Sequence, residues 1–179
     1  MMNKLDNKHI LKALLRGWGV ILLLPFLLLS FTACNNDDDS TTQWRLDNTA
    51  KYNEIKADPE WKELKTDNVE GPSGVFYKNI TEKEVIPGEH PLQTAAVTIN
   101  YTGKDYTGTV FDAGTNATFK VNGVVRGFSI ALQNMVVGEK WEICIPYYLG
   151  YGTTVTGTIK AYSTLFFEIE LLKIDQYPK

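Results

Sequence analysis

The chain has 179 residues, 44% of them apolar and 22% charged, with a net charge of −3. That length allows one full-sized core rather than several, and four Trp, nine Tyr and eight Phe exclude a disordered chain. Beyond the first 33 residues the balance is 14 basic against 20 acidic side chains, which repels a phosphate backbone and excludes nucleic acid as a partner.

The N-terminus reads as an address. Lys4 to Arg16 form a positive region and Val20 to Phe31 an apolar run of the length of a signal-peptide core. The run ends at Phe31-Thr32-Ala33-Cys34, where small residues before a cysteine resemble the lipobox of bacterial lipoproteins. Cys34 would then be the acylated first residue of the mature protein, and residues 1–33 its signal peptide. A second reading stays open, because Gly17 to Cys34 is an uncharged stretch just long enough to cross a bilayer. Pro25 inside that stretch and the acids directly behind it favour the cleaved leader.

Residues 34–42, Cys34 to Thr42, have nothing to bury and read as an acidic polar tether. With Cys34 acylated, only Cys144 remains, so no intrachain disulfide is expected. Residues 43–73 read as a helical extension and hinge. Trp44, Leu46, Ala50, Tyr52, Ile55 and Trp61 approximate helical spacing, with a break at Asp58-Pro59. One helix is expected to end near Ala57, with a short second turn after Pro59. Its apolar face needs cover, either from the main domain or from a second copy in a homodimer. Val69 to Gly74 is rich in turn formers and marks the boundary of a domain over 74–179.

Beyond it the period drops to two. Val75–Ile80, Ala95–Thr102, Lys140–Ile145 and Thr164–Leu172 read as strands rich in β-branched and aromatic residues. Leu165, Phe167, Ile169 and Leu171 share one face of the last, which predicts an antiparallel sheet covered on one side. Phe128, Ala131, Leu132 and Met135 fall at helical spacing within Arg126–Met135. One short helix on one twisted sheet gives an α+β fold. Cys144 alternates with apolar neighbours and reads as a small strand residue rather than a nucleophile.

Past the leader His90 is the sole histidine. A catalytic triad has no base beside a nucleophile, a closed zinc site lacks ligands, and phosphate-binding glycine loops are missing. No metal and no cofactor are expected.

Six strings then occur in order: Val97-Thr98-Ile99-Asn100-Tyr101-Thr102-Gly103; Gly108-Thr109-Val110-Phe111-Asp112; Gly123-Val124-Val125-Arg126-Gly127-Phe128; Met135-Val136-Val137-Gly138-Glu139-Lys140; Ile145 to Gly152; and Thr164 to Leu172. Together they resemble the FKBP-type peptidyl-prolyl cis-trans isomerases over roughly the last hundred residues. The resemblance implies a half-wrapped antiparallel sheet around a short helix, with an aromatic pocket between them. It implies a substrate pocket of Tyr101, Phe111, Phe119, Val124, Val125, Ile159 and Phe167. Phe128 would form its floor, Tyr151 donate a hydrogen bond to a ligand carbonyl, and Asp112 polarise the site. It also implies a peptidyl-prolyl isomerase acting on proline-containing exported chains, from an outer-membrane lipoprotein of the bacterial envelope. A non-catalytic peptide-binding or chaperone lipoprotein with the same fold is the alternative. Taken singly, each aromatic could be core, Asp112 a turn residue and Tyr151 packing.

Two departures from the family pattern are visible. Phe128 stands where Trp is commonest, giving a slightly wider floor without an indole N–H. Thr158-Ile159-Lys160-Ala161 stands where the family usually reads Ile-Pro-Pro, which restores φ freedom to the overhanging loop.

Overall fold

The computed structural model describes residues 36–66, 71–85 and 87–176. The leader, the lipobox and Cys34 therefore lie outside the described residues, as do Val69 and Glu70 of the Val69–Gly74 hinge. Residues from Asn35 onward form one compact unit.

Helix α1 (Asn36–Ala57) is followed by strands β1 (Lys62–Glu63), β2 (Phe76–Asn79), β3 (Ala96–Lys104) and β4 (Val110–Lys120). Helix α2 (Arg126–Asn134), β5 (Lys140–Ile145) and β6 (Leu165–Gln176) complete the chain. The strands make one six-stranded sheet in the order β1-β2-β5-β6-β3-β4, with every neighbouring pair antiparallel. This is the expected α+β fold with its N-terminal helix.

The inner face carries Val97 and Ile99 from β3, Trp141, Ile143 and Ile145 from β5, and Leu165, Ile169 and Leu171 from β6. All are buried in one core with Phe128, Ala131 and Leu132 of α2 and with Met135 just after it. Period-two strands thus meet a period-3.6 helix, and their burial is the main favourable term in folding. The outer face is only half open. Phe76, Cys144 and Phe166 align across β2, β5 and β6, and α1 covers them with Ile55 and Tyr52. Cys144 is fully buried there, which pushes its thiol pKa well up and keeps it protonated and unreactive.

Several expectations need correction. The stretch from Asn36 to Thr42, read as tether, is the first part of α1. The turn after Pro59 is present, with Trp61 N–H donating to Asp58 O at 3.1 Å. It leads into β1, which pairs with β2 through Lys62 opposite Tyr77. The extension thereby adds a strand to the sheet as well as a helix. The buried stripe of α1 runs through Trp44, Asn48, Tyr52 and Ile55, while Leu46 is 58% exposed.

Candidate active site

The site forms where the open end of the sheet passes over the start of α2. β3 brings Tyr101 and Gly103, β4 brings Phe111, Asp112 and Phe119, β6 brings Phe167, and α2 brings Phe128. A break in register between Ile99 and Tyr101 separates two halves of the β3–β4 ladder. There Asn116 takes a left-handed φ of 51°, and its backbone N–H donates to the Asn100 side chain at 2.9 Å. Such a bulge increases twist and re-aims side chains, and asparagine tolerates its backbone better than most residues.

The rings meet edge to face. Phe128 lies 4.9 Å from Phe167 and 6.4 Å from Tyr101; Phe167 lies 5.4 Å from Phe111, and Tyr101 lies 5.5 Å from Phe119. Interplanar angles of 76° to 86° set the positive edge of one ring on the negative face of the next. Phe128 is only 4% exposed and sits at the bottom. Ile159 from the Thr153–Tyr162 loop belongs to the same buried core as Phe128 and Phe167, and Val124 and Val125, just before α2, pack against that core.

The polar component is one pair. Tyr101 Oη–H donates to Asp112 Oδ2 at 2.8 Å, while Asp112 Oδ1 accepts the N–H of Ala113 at 2.9 Å. Burial, then the hydrogen bond and charge of Asp112, push the Tyr101 phenol up to about 12. Tyr151 adds to that upward push. Tyr151 itself is 36% exposed at the rim. Tyr101 is therefore a neutral donor throughout the physiological range. The arrangement can grip an apolar ring and orient an amide.

Residues 87–172 match the family of FKBP-type peptidyl-prolyl cis-trans isomerases. The chain carries an FKBP-type domain. It is 46% identical over 107 residues to the FKBP-type 22 kDa peptidyl-prolyl cis-trans isomerase of Escherichia coli K12, covering 57% of this chain and 50% of that protein. It is 42% identical over 108 residues to the outer membrane protein MIP of Legionella longbeachae, covering 58% and 45%. The chain thus spans about half the length of the curated relatives it matches. A crystal structure of a peptidyl-prolyl cis-trans isomerase from Pseudomonas syringae superposes with a TM-score of 0.65 at 28% identity, over 80% of this chain and all of that one.

All ten residues named from the sequence lie within the span that matches the FKBP family. Eight of them pack in or against the aromatic cluster: Phe128, Phe167 and Ile159 buried, with Tyr101, Phe111, Phe119, Val124 and Val125 at its edge. Asp112 joins it through the hydrogen bond from Tyr101, whereas Tyr151 is 36% exposed and no ring contact links it to the cluster among the described residues.

Sequence reasoning missed two further contributors. Gly103 lies opposite both Asp112 and Phe167. A Cβ there would meet Phe111 Cε2 at 2.5 Å and Phe167 Cε1 at 2.7 Å, so the bare backbone is what lets those two rings close. Its place in the Tyr101-Thr102-Gly103 string was the available signal. The second is Asn48 of α1, which is 1% exposed. Its Oδ1 accepts the buried N–H of Thr164 at 2.7 Å, its Nδ2 donates to Trp44 O at 2.8 Å, and its carbonyl accepts Thr164 Oγ1–H at 3.2 Å.

Proposed function

We infer that this protein is a peptidyl-prolyl cis-trans isomerase that accelerates X-Pro rotation in exported polypeptides by non-covalent stabilisation of the twisted amide. The observation carrying this is the convergence of five rings, Tyr101, Phe111, Phe119, Phe128 and Phe167, around a helix N-terminus within an FKBP-type domain.

The uncatalysed barrier of about 18–20 kcal/mol comes from amide resonance that must be lost on the way over. Catalysis therefore requires a site that holds the twisted form better than either planar form. Phe128 at the floor, flanked by Phe167 and Tyr101, grips the pyrrolidine ring. Packing that ring among aromatics strips water from the preceding carbonyl and removes the hydrogen bonds that favour the planar, charge-separated resonance form. Tyr151 at the rim donates to a substrate carbonyl, and Asp112, held by Tyr101, keeps the polar edge in place. No proton changes hands.

The leader supports an envelope location, with the chain anchored through lipid on Cys34, and the Legionella relative is named as an outer membrane protein. Tyr52 and Ile55 of α1 cover the chain's own sheet, and Leu46, 58% exposed, remains open to a second copy in a homodimer.

Exchange spectroscopy of a short proline peptide with catalytic amounts of the full chain tests the function. Cis and trans signals exchanging on a sub-second timescale, with shifts at Tyr101, Phe128 and Phe167, are expected. Binding shifts without exchange would leave the non-catalytic peptide-binding alternative instead.

A further inference from the structure

The loop from Gly152 to Ser163 brings Ile159 to the pocket, yet little in its own sequence holds it. No proline lies between Pro146 and Pro178. Among its internal ties are the reciprocal Thr156–Ile159 pair at 2.9 Å each way, Tyr162 N–H to Gly152 O at 2.8 Å, and Ser163 Oγ–H to Lys160 O. Tyr162 moreover sits at φ 63°, a left-handed conformation that a bulky residue keeps only when its surroundings enforce it.

Part of those surroundings is local, the Tyr147 ring lying 5.4 Å from that of Tyr162, and the rest comes from α1. Trp44 Nε1–H donates to Ser163 Oγ at 3.2 Å, and Ser163 Oγ–H in turn donates to Lys160 O at 2.7 Å. The Lys160 ammonium lies 4.3 Å over the Trp44 ring, and the Arg45 guanidinium 4.7 Å over the Tyr162 ring. Asn48 closes the far end through Thr164, where β6 begins. One helix therefore contacts four of the five residues between Ile159 and Leu165.

We propose that Trp44 and Asn48 of α1 are positioning residues of the isomerase site, acting through the Lys160–Thr164 end of the loop to keep Ile159 in the pocket wall. This rests on the function inferred above. A loop stiffened from within by proline loses its freedom before folding. Here the same order is imposed from outside, by a helix that the domain would otherwise not need for chemistry.

The test uses the full chain and two readouts on the same variants, amide hydrogen exchange and kcat/KM on a proline tetrapeptide. In Trp44→Ala, exchange at the Ile159 and Tyr162 amides should quicken at least about tenfold, while Val97 and Ile169 in the central strands stay protected. kcat/KM should fall by about tenfold, as expected when a pocket wall is misplaced. Trp44→Phe keeps a ring face for Lys160 and should recover part of both effects. Ile55→Val lies on α1 away from the loop; it should lower the melting temperature yet leave kcat/KM within about twofold. Unchanged exchange at Ile159 and Tyr162, or faster exchange with unchanged kcat/KM, overturns the proposal. A parent chain without isomerase activity is a separate failure, that of the functional reading, and the parent alone reveals it.

Discussion

Gly103→Ala isolates the geometry of the aromatic cluster from its composition, because it adds one methyl and removes no ring. Gly103 lies in extended backbone within β3, so alanine brings no backbone strain and gains about 0.5–1 kcal/mol in chain entropy. The new Cβ meets Phe111 Cε2 at 2.5 Å and Phe167 Cε1 at 2.7 Å, whereas ordinary contact begins at 3.4 Å. Each ring edge must retreat by roughly 0.7–0.9 Å, and overpacking of this kind costs about 1–3 kcal/mol. Net destabilisation should therefore be modest, on the order of 0.5–2 kcal/mol. The effect on rate should be larger, since a misplacement of about 1 Å can cost up to about a hundredfold. Urea unfolding gives the first quantity and a protease-coupled proline-peptide assay the second. A kcat/KM within about twofold of the parent, in a folded variant, would refute the claim that the Phe111–Phe167 contact shapes the catalytic wall.

Asn48→Ala strips the buried Thr164 N–H of its acceptor and should cost about 2–3 kcal/mol, read as a shift of the urea midpoint at constant slope; a loss below about 0.5 kcal/mol would mean that another acceptor takes over. Tyr101, raised from 10.0 to about 12, gives stability that is complete below pH 10 and is lost as pH climbs through 12, because the unfolded phenol releases its proton first. Asp112→Asn should bring that phenol part of the way down, seen by NMR titration of the Tyr101 ring, with burial keeping the remainder; an unmoved titration would deny the pair its role. Cys34→Ser should abolish incorporation of labelled palmitate and release the protein from the membrane fraction, and continued labelling would contradict anchoring at this residue.

How much of this the sequence disclosed depended on how regular each local pattern was. β5 was legible residue for residue because Trp141, Ile143 and Ile145 alternate, and α2 because Phe128, Ala131, Leu132 and Met135 keep helical spacing. β4 left no such trace: Asp112, Gly114 and Asn116 interrupt it, and most of its residues are exposed at the sheet edge. α1 was legible in type but not in face. Asn48 occupies the middle of its buried stripe, so a polar residue stands where apolar periodicity looks for a hydrophobe.

The aromatic residues were nameable only through the order of six strings, since any one of them could equally have been core. Gly103 was hidden because its contribution is the absence of a side chain. The contacts from Trp44 to Ser163 and from Asn48 to Thr164 bridge more than a hundred residues. Separations of that kind become contacts only once the sheet has brought α1 and the start of β6 together.

The protease-coupled assay of the full chain on a proline tetrapeptide, run beside Phe128→Leu, bears most directly on the pocket as catalyst. The parent should complete in seconds or less what takes tens to hundreds of seconds unaided, and the variant, which keeps apolar bulk but loses the aromatic floor, should be slower by about tenfold or more. A parent rate equal to the uncatalysed one, or a folded Phe128→Leu as fast as the parent, would contradict it.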